Sequence, residues 1–188
     1  MKKIIPIMLA LISINTFANT NNLPSEIYKN ISNDEIEILS YKKVDLNNDN
    51  IPDYIFIEEK PSRQEANSLD RILKIAIFKN NKFEIVKQNN KIIYCSTCGG
   101  AFGDPFESLE AKKNSFTVKH YGGSNDRWFN EYRFNYSRID NTWQLVMVKE
   151  GSFNTSSPHK IKQKIYIPPK DFGKIDIQDF DPDNYMKK

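Results

Sequence analysis

Apolar and polar residues alternate along most of the chain, with the period of two that marks half-buried strands. From about Glu35 the pattern is strand-like as far as Val44. A polar Asp/Asn cluster follows, and residues 54–57 resume the apolar run as strand, tight loop, strand. Residues 71–78 are rich in isoleucine, with Ile75 and Ile77 alternating against Lys74 and Ala76. Asn80 and Asn81 then precede Phe83, Ile85 and Lys87, a hairpin signal because asparagine tolerates positive φ in two-residue turns. Residues 91–94 form another apolar stretch. Phe116, Val118 and His120 share one face of a strand over 116–121, and Tyr132, Phe134 and Tyr136 alternate against Arg133 and Asn135. Asp140 and Asn141 turn the chain into 143–148, and 161–167 is a last strand stopped by Pro168 and Pro169. Some eight short strands, separated by turn signals and without long amphipathic helices, predict an all-β protein. The expected architecture is a single antiparallel β domain, a sandwich or a strongly curved sheet. A short helix, capped by Ser25 with Glu26 in its first turn, is expected at its amino end. Residues 60–70 are the expected exposed loop, and the tail 171–188, acidic up to Asp183, lacks a strand pattern and is expected to pack loosely.

The first 18 residues break the alternation. Lys2 and Lys3 precede an apolar run from Ile4 to Ile14, too short for the ~20 residues of a membrane span. Thr16 and Ala18 supply small residues at −3 and −1 of a cleavage site. This is the layout of a signal peptide over 1–18, leaving one β-rich domain over 19–188. No cysteine follows the cleavage site to carry a lipid, and no later run is long enough to span a bilayer. The periplasm is the expected destination, with full secretion as the alternative.

Charge adds one exclusion. The chain has 27 Lys+Arg and 24 Asp+Glu, and removing Lys2 and Lys3 leaves 25 − 24 = +1. A nucleic-acid binder would normally carry a basic stripe, so that class is set aside. Aromatic residues make up 12% of the chain and supply large burying side chains, and a chain of this length can bury a core without staples.

The most chemical segment is 45–53, Asp-Leu-Asn-Asn-Asp-Asn-Ile-Pro-Asp. Side-chain oxygens fall at its positions 1, 3, 5 and 9: Asp45, Asn47, Asp49 and Asp53. The Ile51 carbonyl can add another at position 7. Calcium takes six to eight such oxygens. Position 6 needs a left-handed backbone, for which Asn50 is the best substitute for glycine. Position 12 is Phe56 where an EF-hand has a bidentate Glu, and the flanks are strands, so this is not an EF-hand. The stretch VDLNNDNIPDYIFI resembles the cation loop of FG-GAP and VCBS-type repeats. That resemblance implies a calcium loop ligated through Asp45, Asn47, Asp49 and Asp53. A full propeller needs several such loops, and this chain has one. The alternative is an Asx-rich turn held by its own hydrogen bonds.

Cys95-Ser96-Thr97-Cys98-Gly99-Gly100 admits three readings. A structural Cys95–Cys98 disulfide suits an oxidising compartment and an even cysteine count. A redox-active pair would need a thiolate lowered by a helix N-terminus, and no helix pattern comes after it. Zinc would have to recruit His120 and His159 at a spacing that matches no finger. The longer stretch YCSTCGGAFGDPF…FTVKHYGGSNDRWFNEYRFNYSR…WQLV resembles a group of exported bacterial proteins. These pair one VCBS-type loop with Cys-x-x-Cys-Gly-Gly…Gly-Asp-Pro-Phe and His-x-Gly-Gly-Ser…Arg-Trp segments. The resemblance spans about residues 44–148 and brings no activity with it.

His120, Ser124 and Asp126 are close in sequence, yet the glycines around Ser124 make only half of a nucleophile elbow. A half-buried structural His120 is the simpler reading, since it shares the face of Phe116 and Val118. Arg127 and Trp128 are expected to stack on each other. The dense aromatics Trp128, Phe129, Tyr132, Phe134, Tyr136 and Trp143 suit an ordinary β core or a binding platform, and Asp176, Asp179, Asp181 and Asp183 suit a solvated tail or an acidic patch for a basic partner. Together these features describe an exported binding or interaction protein with a structural calcium-type loop and no evident catalytic set, recognising a protein or an envelope component. An immunity-type protein neutralising a periplasmic toxin is one alternative. The other is an enzyme, either a hydrolase using His120 and Ser124 or a thiol oxidoreductase using Cys95 and Cys98.

Overall fold

A computed structural model describes residues 23–25, 27, 36–64 and 66–186. The expected signal peptide lies outside these residues, as does most of the expected N-terminal helix, of which Ser25 and Ile27 are helical. The described chain is all-β, in two antiparallel sheets. The first contains β1 (Glu37–Val44), β2 (Asp53–Pro61), β3 (Leu69–Lys79) and β4 (Lys82–Asn89) in that order. The second contains β5 (Phe106–Lys112), β6 (Ser115–Gly123), β7 (Asp126–Ser137), β8 (Thr142–Asn154) and β9 (Lys162–Tyr166), again in chain order. Each sheet is therefore a meander, and short polar turns suffice to connect it. At the β3–β4 turn Asn80 and Asn81 adopt φ of 53° and 61°, the left-handed pair that a two-residue hairpin of matching twist requires.

Alternation decides what each strand buries. Ile55 and Ile57 of β2 stand opposite Ile75 and Leu73 of β3, and all four face the second sheet. From that sheet Phe116, Val118, Tyr132, Phe134, Leu145 and Val148 face back, making one core. Each such side chain contributes about 1.5–3 kcal/mol on removal from water. The opposite face of β2 is also covered: Tyr54 and Phe56 pack with Ile38, Ala76, Leu23 and Ile27. Burial on both faces explains why 54–57 reads as a continuous apolar run.

The structure departs from the sequence pattern in three places. Residues 91–94 do not form a strand; Ile92 and Ile93 are buried from within a turn, where the Asn89 side chain accepts the Lys91 and Ile92 N–H groups. The edge strand β5 is not announced by the sequence pattern, because Leu109 alone among its residues is buried and no alternation marks it. The tail 171–186 is not loose. Phe172, Ile177 and Phe180 are fully buried and Tyr185 joins the same core. Two of the four aspartates singled out there are engaged within the fold: Asp176 pairs with Lys87 and accepts from Thr142, and Asp181 pairs with Lys91. The Asn89 amide donates to the Ile177 and Phe180 carbonyls, fixing the tail to the end of β4.

Candidate functional site

The loop 45–53 joins β1 to β2 and is built on two left-handed asparagines, Asn48 (φ 65°) and Asn50 (φ 67°). Asp45 organises it: Oδ1 accepts the Asn48 N–H at 2.7 Å and the Asp49 N–H at 3.2 Å, and Oδ2 accepts the Asn50 N–H at 3.0 Å. Asn47 Oδ1 accepts the Asp49 N–H and Asp49 Oδ1 accepts the Ile51 N–H. The turn of β5 into β6 closes on this loop, with the Lys113 ammonium 3.1 Å from Asp45 Oδ2 and 2.6 Å from Asn50 Oδ1. Burial opposes the charge on Asp45, but Lys113 and the N–H donors outweigh it and hold the carboxyl below its usual range.

Asp53 does something different. It is fully buried, its Oδ2 accepts the Leu46 N–H at 2.9 Å, and its Oδ1 accepts the Phe78 N–H at 3.2 Å. It thereby ties the loop to β3. Burial pushes its pKa up to about 6 against those two donors, and the nearby Asp49 and Asp45 add to the rise. For calcium, the oxygen donors of Asp45, Asn47, Asp49 and the Ile51 carbonyl are of the right chemistry, and a cation bound there would compete with the Lys113 ammonium for Asp45. Among the described residues no three His, Cys, Asp or Glu side chains gather as a metal-holding group, so any cation here draws on amide and carbonyl oxygens as well as carboxylates.

The second candidate region lies where the chain passes from β4 to β5. Cys95 and Cys98 form a disulfide with a Cα–Cα distance of 5.2 Å. The bridge leads into a three-residue 3-10 turn, Gly100–Phe102, rather than a helix whose N-terminus could stabilise a thiolate. The segment is fastened by a residue that the sequence pattern does not single out. Arg71 of β3, 3% exposed, donates to Glu59 at 3.0 Å, to both oxygens of Asp104 at 2.6 and 2.5 Å, and to the Tyr94 carbonyl at 3.2 Å. Burial disfavours the Asp104 carboxylate, but Arg71 overrides this and keeps the group below the ordinary range. Arg71 and Glu59 are cross-strand neighbours, whereas Asp104 is 33 residues away, so no local pattern announces this knot.

His120 lies beneath it and is fully buried. Its Nε2 accepts the Tyr94 N–H at 3.4 Å, its ring packs against Tyr94 at 4.5 Å, and Nδ1 has no hydrogen-bond partner among the described residues. Burial lowers its pKa to about 3; the Arg71 charge pushes the same way and Asp104 opposes it. Ser124 is exposed in the turn after β6, and no hydrogen bond joins it to His120 among the described residues. His159 is exposed in the turn after β8, and the cysteine pair it would have to join is already closed on itself.

Arg127 and Trp128 do not stack on each other, because consecutive strand residues point to opposite faces. The Arg127 guanidinium lies 4.0 Å over the Phe102 ring, and the Trp128 ring meets Tyr94 edge-on. Trp128 needs Gly122 opposite it: a Cβ there would stand 2.5 Å from the indole. Of the dense aromatics, Tyr132, Phe134 and Trp143 belong to the core.

A third region emerges only in three dimensions. β9 is an edge strand, paired to β8 on one side and to no other strand among the described residues. Ile161, Ile165 and Ile167 are 55%, 54% and 47% exposed, a grouping of large apolar side chains found nowhere else on the described surface. Lys162 and Lys164 alternate with them on the other face of the strand, Lys160 and Lys170 flank it in sequence, and none of the four forms an ion pair among the described residues. The signal in the sequence is compositional: residues 151–170 contain four lysines and no acid. Among the described residues no helix is long and apolar enough to cross a membrane. No family model, curated protein or solved structure matches the chain.

Proposed function

We propose that this is an exported, non-catalytic interaction protein of the periplasm that recognises a protein or envelope component through the β9 flank. The observation that carries the reading is the contrast in how side chains are employed. His120 and the cysteine pair, which could do chemistry, are committed to the interior or to each other. Exposed isoleucine and unpaired lysine collect instead on one sheet edge. Large exposed apolar groups rimmed by charge mark interaction surfaces. The disulfide suits an oxidising compartment.

A photo-crosslinking residue placed at Ile165 tests this in the intact cell envelope. The expected result is a saturable adduct at position 165 that is not formed from Lys82, on the hairpin of the other sheet. Absence of an adduct at 165, or a hydrolytic or thiol-exchange turnover abolished by His120→Ala or Cys95→Ser, overturns the reading.

The loop 45–53 is proposed to hold calcium as a structural staple through Asp45, Asn47, Asp49 and the Ile51 carbonyl, with Asp53 anchoring the loop from below. Calorimetric titration with calcium should show a site that raises the melting temperature and disappears in Asp49→Ala. Unchanged melting in both chains would leave the loop as a hydrogen-bonded turn.

A further inference from the structure

Resting on the reading of β9 as the docking flank, we infer that β9 takes up an extended segment of its partner as an added strand, and that this segment alternates apolar residues with Asp or Glu. The backbone supplies the first argument. An edge strand presents a row of N–H and C=O groups to any strand that can reach it. Here the available run is bounded: Lys160 N–H is already bonded to the Ser157 carbonyl, and Ile167 exchanges backbone and side-chain bonds with Asp171. Residues 162–166 between them pair only with β8 among the described residues.

The side chains supply the second. Ile161, Gln163 and Ile165 fall on the outer face of the sheet, with Ile165 opposite Lys149. Lys162 and Lys164 fall on the other face, followed by Tyr166, which turns toward Tyr185 in the core. A strand laid alongside alternates its own side chains between the same two faces. It gains most by placing apolar residues beside the isoleucines and carboxylates beside the lysines. The acids already near this edge do not meet that demand. Glu150, opposite Lys164 on β8, accepts the Tyr185 hydroxyl and forms no ion pair with that lysine; Asp126 accepts from the Asn154 amide, and Asp171 accepts the Ile167 N–H.

Two rival roles for the same surface fit it less well. Lysine on an edge strand is a common guard against aggregation, but a guarded edge gains nothing from three isoleucines about half exposed. Pairing of β9 with its counterpart in a second copy would set lysine against lysine.

The test titrates the full mature protein with two synthetic peptides of the same composition and ~8 residues, about one strand. One alternates valine with glutamate; the other carries the valines and glutamates in two blocks. The alternating peptide should bind roughly tenfold tighter, equivalent to about 1.4 kcal/mol. Amide shifts should concentrate in β8 and β9. Binding should be lost in the Lys162→Glu/Lys164→Glu chain and, independently, in Ile165→Asp. Equal affinity for both peptides would mean charge attraction alone and overturns the inference. So would dimerisation in sedimentation, or binding to anionic phosphatidylglycerol vesicles without discrimination between the peptides, which would assign the flank to a second copy or to a membrane surface. A position-165 adduct in the envelope combined with equal peptide affinities sinks strand addition while leaving the docking flank standing.

Discussion

The two edges of the five-stranded sheet are treated in opposite ways. β5 lies beside β1 of the other sheet, and the segment leading into it is held by Asp104, Arg71 and the Cys95–Cys98 disulfide. β9 pairs with β8 alone, and its lysines lack counter-ions, among the described residues. The difference teaches where each edge contributes. At the segment that enters β5, Arg71 is buried and satisfied by the nearly buried Glu59 and the more exposed Asp104, so substitutions there should alter stability. At β9, charges are solvated and unpaired, so substitutions should alter association and leave stability almost untouched.

The largest effect is expected for Arg71→Met, which leaves Glu59 as a carboxylate without its buried partner. A loss of about 3–5 kcal/mol in denaturant unfolding is expected, the usual range for breaking a buried ion pair from one side. A loss below about 1 kcal/mol would mean that the knot does not hold the β5 edge.

His120 gives the same edge a pH dependence. Its native pKa, about 3, lies below its unfolded value of 6.5, so the unfolded chain binds the proton first. Stability from this group is complete above about pH 6.5 and declines as pH falls toward 3, at up to about 1.4 kcal/mol per pH unit. Arg71 and Asp104 are the charged groups facing the ring. His120→Gln should flatten the melting-temperature profile between pH 6 and pH 4, and an unchanged slope would assign acid sensitivity elsewhere.

A smaller effect is expected for Cys95→Ser/Cys98→Ser. The bridge spans a sequence separation of three, and closing so short a loop is worth about 2 kcal/mol in the chain-entropy account. Calorimetric melting under non-reducing conditions measures it. Smallest is Lys162→Glu/Lys164→Glu, within about 0.5 kcal/mol of the parent chain by chemical denaturation. A destabilisation there equal to that of the cysteine variant would erase the contrast between the edges.

The fold is legible in the sequence wherever one face of a strand is buried and the other wet. β6 announces itself by Phe116, Val118 and His120, and the β3–β4 hairpin by Asn80 and Asn81. β5 is not legible because Leu109 is its single buried residue, and an edge strand needs no alternation to pair on one side. The tail is not legible because Phe172, Ile177, Phe180 and Tyr185 follow no period and fill a gap whose shape is set by both sheets. At the loop, the sequence exposes the asparagine turns and the carboxylates, but not the role of Asp53, whose second partner, the Phe78 N–H, is 25 residues distant. Arg71 is hidden for the same reason: its meaning depends on Asp104 arriving from another part of the chain.

The tail also sets the order of events when the chain is made. Each strand pairs only with neighbours in sequence, so either meander can form as soon as its own residues emerge. The core between them cannot be closed that early. The Asn89 amide must wait for carbonyls 88 and 91 residues further on, at Ile177 and Phe180. At synthesis rates of roughly 5–20 residues per second, that wait is about 4–18 s. Until then the apolar faces carrying Ile75 and, once it is made, Phe134 lack the cover that Phe172, Ile177 and Phe180 supply, and a holding chaperone has something to grip.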